Sequence, residues 1–110
     1  MKYIINESRL NNLIKDFISD RVETPLKRHK HPSFMIDYSW FTNKNGVTVF
    51  EADDNDDGFE LGVRKDIWNS VKSLFSLEES ETNDYFLEWF YELTGMEFPG
   101  GVYTFEDNND

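Results

Sequence analysis

Residues 59–95 read FELGVRKDIWNSVKSLFSLEESETNDYFLEWFYELTG, and the fold follows from how this stretch divides. Phe59, Leu61 and Val63 alternate with polar or small residues, the period of a strand. Ile67, Val71 and Leu74 then recur at helical spacing over residues 65–75, with Trp68 and Phe75 at the edge of the same stripe. Phe86, Trp89, Phe90 and Leu93 stand at i, i+3, i+4 and i+7 over residues 83–94, which places them on one helix face. Gly95 comes where a left-handed C-terminal residue is wanted. Glu78, Glu79, Glu81 and Asp84 gather near the helix start, where the dipole favours them, and Ser80 or Thr82 is available as a cap. The short link through residues 76–82 makes the two helices neighbours. The core is therefore expected here.

Upstream, Leu10, Leu13, Ile14, Phe17 and Ile18 predict an amphipathic helix that ends before Pro25, which disfavours helix at Thr24. Residues 26–33 read as a connector and hold the one basic cluster: Lys27, Arg28, His29, Lys30 and His31. That cluster suits an anion or nucleic-acid contact, but three cations in a chain this acidic make a weak footprint, and a solvated linker, free or folded back on the protein's own acidic surface, is the favoured reading. Phe34, Ile36, Tyr38 and Trp40 alternate with Met35, Asp37, Ser39 and Phe41 as a strand. Asn43-Lys44-Asn45-Gly46 is a turn, residues 47–52 the return strand, residues 53–58 a second turn and residues 59–63 a third strand. Apolar residues on both strand faces imply helices over one side and partial cover on the other. Val102-Tyr103-Thr104-Phe105 is a candidate edge strand.

The reading is an α+β fold. It has an N-terminal helix, a three-stranded antiparallel meander, two C-terminal helices packed on the sheet and a possible final edge strand. One domain spans residues 1–105, followed by an acidic tail at 106–110.

The run Leu61-Gly62-Val63, Ile67-Trp68, Leu74-Phe75-Ser76-Leu77 and Trp89-Phe90 before Gly95 resembles small uncharacterised proteins of tailed bacteriophages. The opening Met1-Lys2-Tyr3-Ile4-Ile5-Asn6-Glu7-Ser8-Arg9-Leu10, leading into Leu13-Ile14, is similar to one that recurs in such proteins. The resemblance covers roughly half of the chain. It implies an origin and brings neither an activity nor functional residues.

Net charge is −11 and unevenly spread. Residues 1–44 hold 8 Lys and Arg against 5 Asp and Glu, whereas residues 45–110 hold 3 against 17. An acidic body argues against direct nucleic-acid binding, whose affinity comes largely from phosphate neutralisation. It favours a protein partner with a basic surface, from phage or host, or imitation of a nucleic acid. The chain has no cysteine, which excludes disulfides and thiolate metal sites. No apolar run is long enough for a membrane span, and the N-terminus lacks a signal-peptide stretch, so a soluble protein of the host cytoplasm or the virion is expected.

Two clusters carry chemistry. Asp53, Asn55 and Asp57 followed by Gly58 match four positions of a calcium loop, but Arg64 stands where a bidentate glutamate belongs. An acidic hairpin turn accounts for the same residues, with Glu60 a further oxygen donor if calcium binds. No other cofactor is implied. Asp84, Glu88 and Glu92 recur every fourth residue opposite the apolar face, extended by Glu81 and bordered by Leu87 and Tyr91. These six form the candidate partner surface, against the plainer reading of a solubilising face. His29 and His31 have no nucleophile in a recognisable motif beside them, and no phosphate-binding glycine loop is present, so no enzyme is expected. The chain is read as a non-catalytic accessory protein acting by protein binding. Its rivals are a self-associating virion component and a nucleic-acid-mimicking inhibitor of a host enzyme.

Overall fold

A computed structural model describes residues 7–33, 37–55 and 58–106. In chain order the elements are α1 (Glu7–Val22), β1 (Lys27–Lys30), β2 (Tyr38–Thr42), β3 (Thr48–Asn55), β4 (Gly58–Arg64), α2 (Lys65–Leu74), α3 (Glu79–Thr94) and β5 (Gly101–Phe105). The sheet is five-stranded in the order β1-β2-β3-β4-β5. β1 to β4 are antiparallel neighbours and β5 runs parallel to β4. Parallel neighbours need a crossover connection, and α2 with α3 supplies it.

The α+β class and the helix placement agree with the sequence reading, and the sheet is larger and mixed. β1 is the main correction, because residues 26–33 read as a connector. A four-residue strand of charged and imidazole side chains has no hydrophobic period to reveal it. It is held by its neighbour β2 instead: His29 stacks on Trp40 at 5.3 Å and the Arg28 guanidinium lies 5.9 Å from the Phe41 ring centre. β3 runs on to Asn55, which pairs with Gly58, so Asp53 and Asp54 belong to a strand and not to a turn. Phe34, Met35 and Ile36 of the expected first strand lie outside the described residues, as do Lys2–Ile5, the proposed cap Asn6 and the tail beyond Glu106; Ser8 lies within α1.

The turn at Asn43 forms as its composition implies. Asn43 Oδ1 accepts the Asn45 and Val47 amides at 2.9 and 3.0 Å, and Gly46 takes φ 80°. Helix α3 starts four residues earlier than expected, with Glu78 as N-cap in place of Ser80 or Thr82. The Glu78 amide donates to Glu81 Oε1 at 2.9 Å, half of a capping box. Gly95 ends the helix in the left-handed conformation, its amide bonded to Tyr91 O at 2.7 Å.

Every helix lies on one face of the sheet, where the core is aromatic. Phe90 meets Phe41, Phe50 and Phe98 at 4.9, 5.1 and 5.5 Å, and Trp89 stacks on Phe50 at 5.5 Å. Ile14, Ile18 and Val22 from α1 and Ile67 and Val71 from α2 close it. Three leucines expected in the core are about half exposed: Leu13, Leu74 and Leu93. Leu74 and Leu93 are in register with their stripes but sit in the last turn of their helices, and Leu93 there lines an open groove.

The opposite face carries Tyr38, Trp40 and Tyr103 around one carboxylate. The Tyr38 and Tyr103 hydroxyls donate to the two oxygens of Glu51, at 2.9 and 2.7 Å. Gly62 makes room for this bridge, since a Cβ there would stand 2.6 Å from Tyr103 Cζ. Gly62→Ala is accordingly expected to cost about 1–3 kcal/mol through overpacking. Thermal melts of Gly62→Ala, Tyr103→Ala and the double variant check this. The double variant should lose less than the sum of the two singles, and plain additivity would show that no overlap exists.

Burial, and then the hydrogen bond to Glu51, holds both tyrosine hydroxyls well above their ordinary pKa of 10.0. Above about pH 10 the unfolded tyrosines ionise while the folded ones keep their protons, so the unfolded state binds fewer protons and stability falls. The bridge contributes fully below that pH. Urea titrations from pH 8 to 11 should show the decline in the wild type and a shallower one in Tyr38→Phe/Tyr103→Phe. Equal slopes would refute the account.

Candidate interaction surface

Helix α1 lies alongside α3, joined by a polar ladder. Asn11, Lys15 and Ser19 follow one another at i+4 along α1. Tyr85 OH donates to Asn11 Oδ1 at 2.7 Å, and Trp89 Nε1 donates to Ser19 Oγ at 2.9 Å. Between these rungs Lys15 Nζ meets Glu88 Oε1 at 3.0 Å and Glu92 Oε2 at 2.7 Å. The hydrogen bond to Glu92, with that to Glu88, raises the Lys15 pKa above its ordinary value and keeps the ammonium charged. The acidic row on α3 is therefore not bare, although its own helix carries no cation. The balancing cation comes from a residue 73 positions away.

The six sequence-predicted partner residues separate accordingly. Glu81 is engaged in the capping of α3, and Glu92 turns to the α1 flank. Asp84, Leu87, Glu88 and Tyr91 come together, around a shallow depression of about 350 Å³ completed by Met96, Glu97 and Phe98. Periodicity within the helix could not find these last three, which follow the turn at Gly95. The available signal was that an apolar residue just past a left-handed cap commonly packs back on its helix, as Met96 does here.

Tyr91 is 50 % exposed. Among the described residues its hydroxyl has no hydrogen-bond partner, and Asp84 and Glu97 have no ion-pair partner. The last turn of α3 holds no basic residue, so the negative end of its dipole adds to the field of Glu92 and Glu97. Aromatic and aliphatic groups within a rim of carboxylates suit a cationic protein surface.

On the other flank of α3 lies a larger open groove of about 940 Å³. Trp89, Phe41 and Leu26 contribute apolar surface to it, and Leu93 and Met96 join its rim. Met96 borders both concavities, which therefore meet around the C-terminal turn of α3. The groove is mixed in charge, with Lys15 and Arg28 set against Asp16 and Glu92.

Asp53 of the calcium-like run lies on the helix-free face of β3, opposite Glu60. Asp57 and the Asn55 side chain lie outside what is described. Among the described residues no three acidic or imidazole side chains converge to hold a metal ion, and no helix is long and apolar enough to cross a membrane. Of the two histidines, His29 Nε2 is hydrogen-bonded to Thr42 Oγ1 at 2.9 Å, and His31 Nδ1 accepts the Ser33 amide at 3.1 Å. Both have structural partners. No family model, curated protein or solved structure matches this chain.

Proposed function

We propose that this chain is a non-catalytic accessory protein of bacteriophage type, active in the host cytoplasm, that binds a protein with a basic surface. The outer side of α3 is the docking face. Leu87, Tyr91 and Met96 anchor the partner, and Asp84, Glu88 and Glu97 meet its cations. The observation that carries this reading is Tyr91, half exposed beside a depression that it shares with Asp84 and Glu97, two carboxylates with no ion-pair partner among the described residues.

Rim charges set encounter rate and salt dependence, while buried anchors set residence time. A partner captured from nuclease-treated bacterial lysate should therefore be released progressively as ionic strength rises from about 0.05 to about 0.5 M, since screening tightens over that range. Retention that ignores salt would exclude a charge-matched interface. Competition by duplex DNA for the same partner would instead favour nucleic-acid mimicry.

A further inference from the structure

The basic strand β1 forms one edge of the sheet, and among the described residues no strand pairs with its outer side. The His31 amide donates to Tyr38 O at 3.0 Å, so the alternation of an antiparallel ladder turns the backbone groups of His29 and Lys27 toward β2. The N–H and C=O of Arg28 and Lys30 then point away from the sheet, and among the described residues nothing bonds them.

The side chains add a second, independent observation. Lys27, Arg28 and Lys30 are exposed, and among the described residues no carboxylate pairs with any of them. This is unusual in a chain with 22 acidic side chains against 11 basic ones. The register places Arg28 and Lys30 over the Phe41 and Ser39 face, and Lys27 with His29 on the other, so positive charge lies on both sides of the strand. Arg28 is held in place by its Nε bond to Ser39 Oγ at 3.2 Å.

We infer that β1 is a strand-addition site for an extended acidic segment of a partner protein. An added strand would satisfy the outward N–H and C=O groups, and acidic side chains on both of its faces would meet opposite charges directly across. Edge lysines guard a sheet against indiscriminate pairing. The same charges that repel a neutral or basic strand select an acidic one. The net charge of the molecule does not prevent this, because at physiological ionic strength a ligand at β1 feels charges within about 8 Å. Phosphates would engage the side chains but leave the outward backbone groups unmet. The site is separate from the α3 face and stands or falls independently of it.

Amide hydrogen exchange on the full chain tests the inference, with the peptide Glu-Glu-Val-Glu-Glu, blocked at both ends, as probe, since as a strand it carries carboxylates on both faces. The peptide should slow exchange at Arg28 and Lys30 by about tenfold or more, because exchange then waits on peptide release. The corresponding Lys-Val peptide should have no effect, and Lys27→Glu/Lys30→Glu should abolish protection. Both lysines are exposed and have no carboxylate partner among the described residues, and an unchanged circular dichroism spectrum confirms that the variant is folded. Three results would overturn the proposal: no protection at millimolar peptide, protection that survives in the variant, or perturbation of β1 by a single-stranded oligonucleotide with the peptide silent. The last would assign the strand to phosphate.

Discussion

Phe90→Ala is expected to remove about 4 kcal/mol of stability, the range for truncating a buried phenylalanine. Phe90 is fully buried and is the ring on which three parts of the fold converge: Phe41 from β2, Phe50 from β3 and Phe98 from the segment before β5. Each of those contacts is edge-on, so the surrounding rings cannot slide together to fill the space. Trp89 beside it is tied both to Phe50 and, through Ser19, to α1, which further limits collapse. For a domain with a total stability of about 5–15 kcal/mol, such a loss brings the protein near the unfolding threshold at 37 °C. Urea titration of the wild type and the variant measures it. A loss below about 1 kcal/mol would mean that the packing around Phe90 adapts freely, contrary to a close-packed aromatic core.

The adjacent residue in the chain should behave in the opposite way. Tyr91→Ala is expected to leave stability within about 0.5 kcal/mol of the wild type, because half of the side chain already faces solvent and its hydroxyl has no partner among the described residues. Its effect should appear in partner binding, where loss of an aromatic anchor costs about 2 kcal/mol, or roughly thirtyfold in Kd. Titration of the captured partner against the two proteins reads this directly. A stability loss with binding unchanged would make Tyr91 a packing residue and remove the anchor from the docking face.

The contrast between these neighbours shows what helical periodicity can and cannot resolve. Spacing alone placed Phe86, Trp89 and Phe90 inside and Asp84, Glu88 and Tyr91 outside, and the αL glycine at Gly95 marked the end of the helix. It also placed Leu93 inside, because a helical wheel does not record where an open groove leaves the last turn of the helix uncovered. Leu13 and Leu74 were misread for related reasons, one at the flank of α1 and one at the end of α2. β1 was hidden because its stability comes from a neighbour and not from its own apolar content. The meander had a period to read and β1 had none.

The candidate site was legible only within single elements. The row Asp84, Glu88, Glu92 is evident on α3, but the pairing of Glu88 and Glu92 with Lys15 depends on how α1 is laid across the sheet. That pairing changes which substitutions are informative. Charge reversal at Glu88 or Glu92 would place a cation beside Lys15 and disturb the α1–α3 contact, mixing a binding effect with a folding one. Asp84 and Glu97 have no ion-pair partner among the described residues, so reversal there tests the rim alone. The neighbours contributed by Met96, Glu97 and Phe98 depend on the chain direction after Gly95, which local spacing does not specify.

The docking role of α3 is tested most directly by affinity capture from nuclease-treated bacterial lysate, with bound chains identified by mass spectrometry. The wild type should be compared with Asp84→Lys/Tyr91→Ala/Glu97→Lys, after confirming that both have the same urea midpoint. A protein with a basic surface retained by the wild type and lost by the variant is the predicted result. The same proteins retained equally by both baits would contradict the assignment of the docking face to α3.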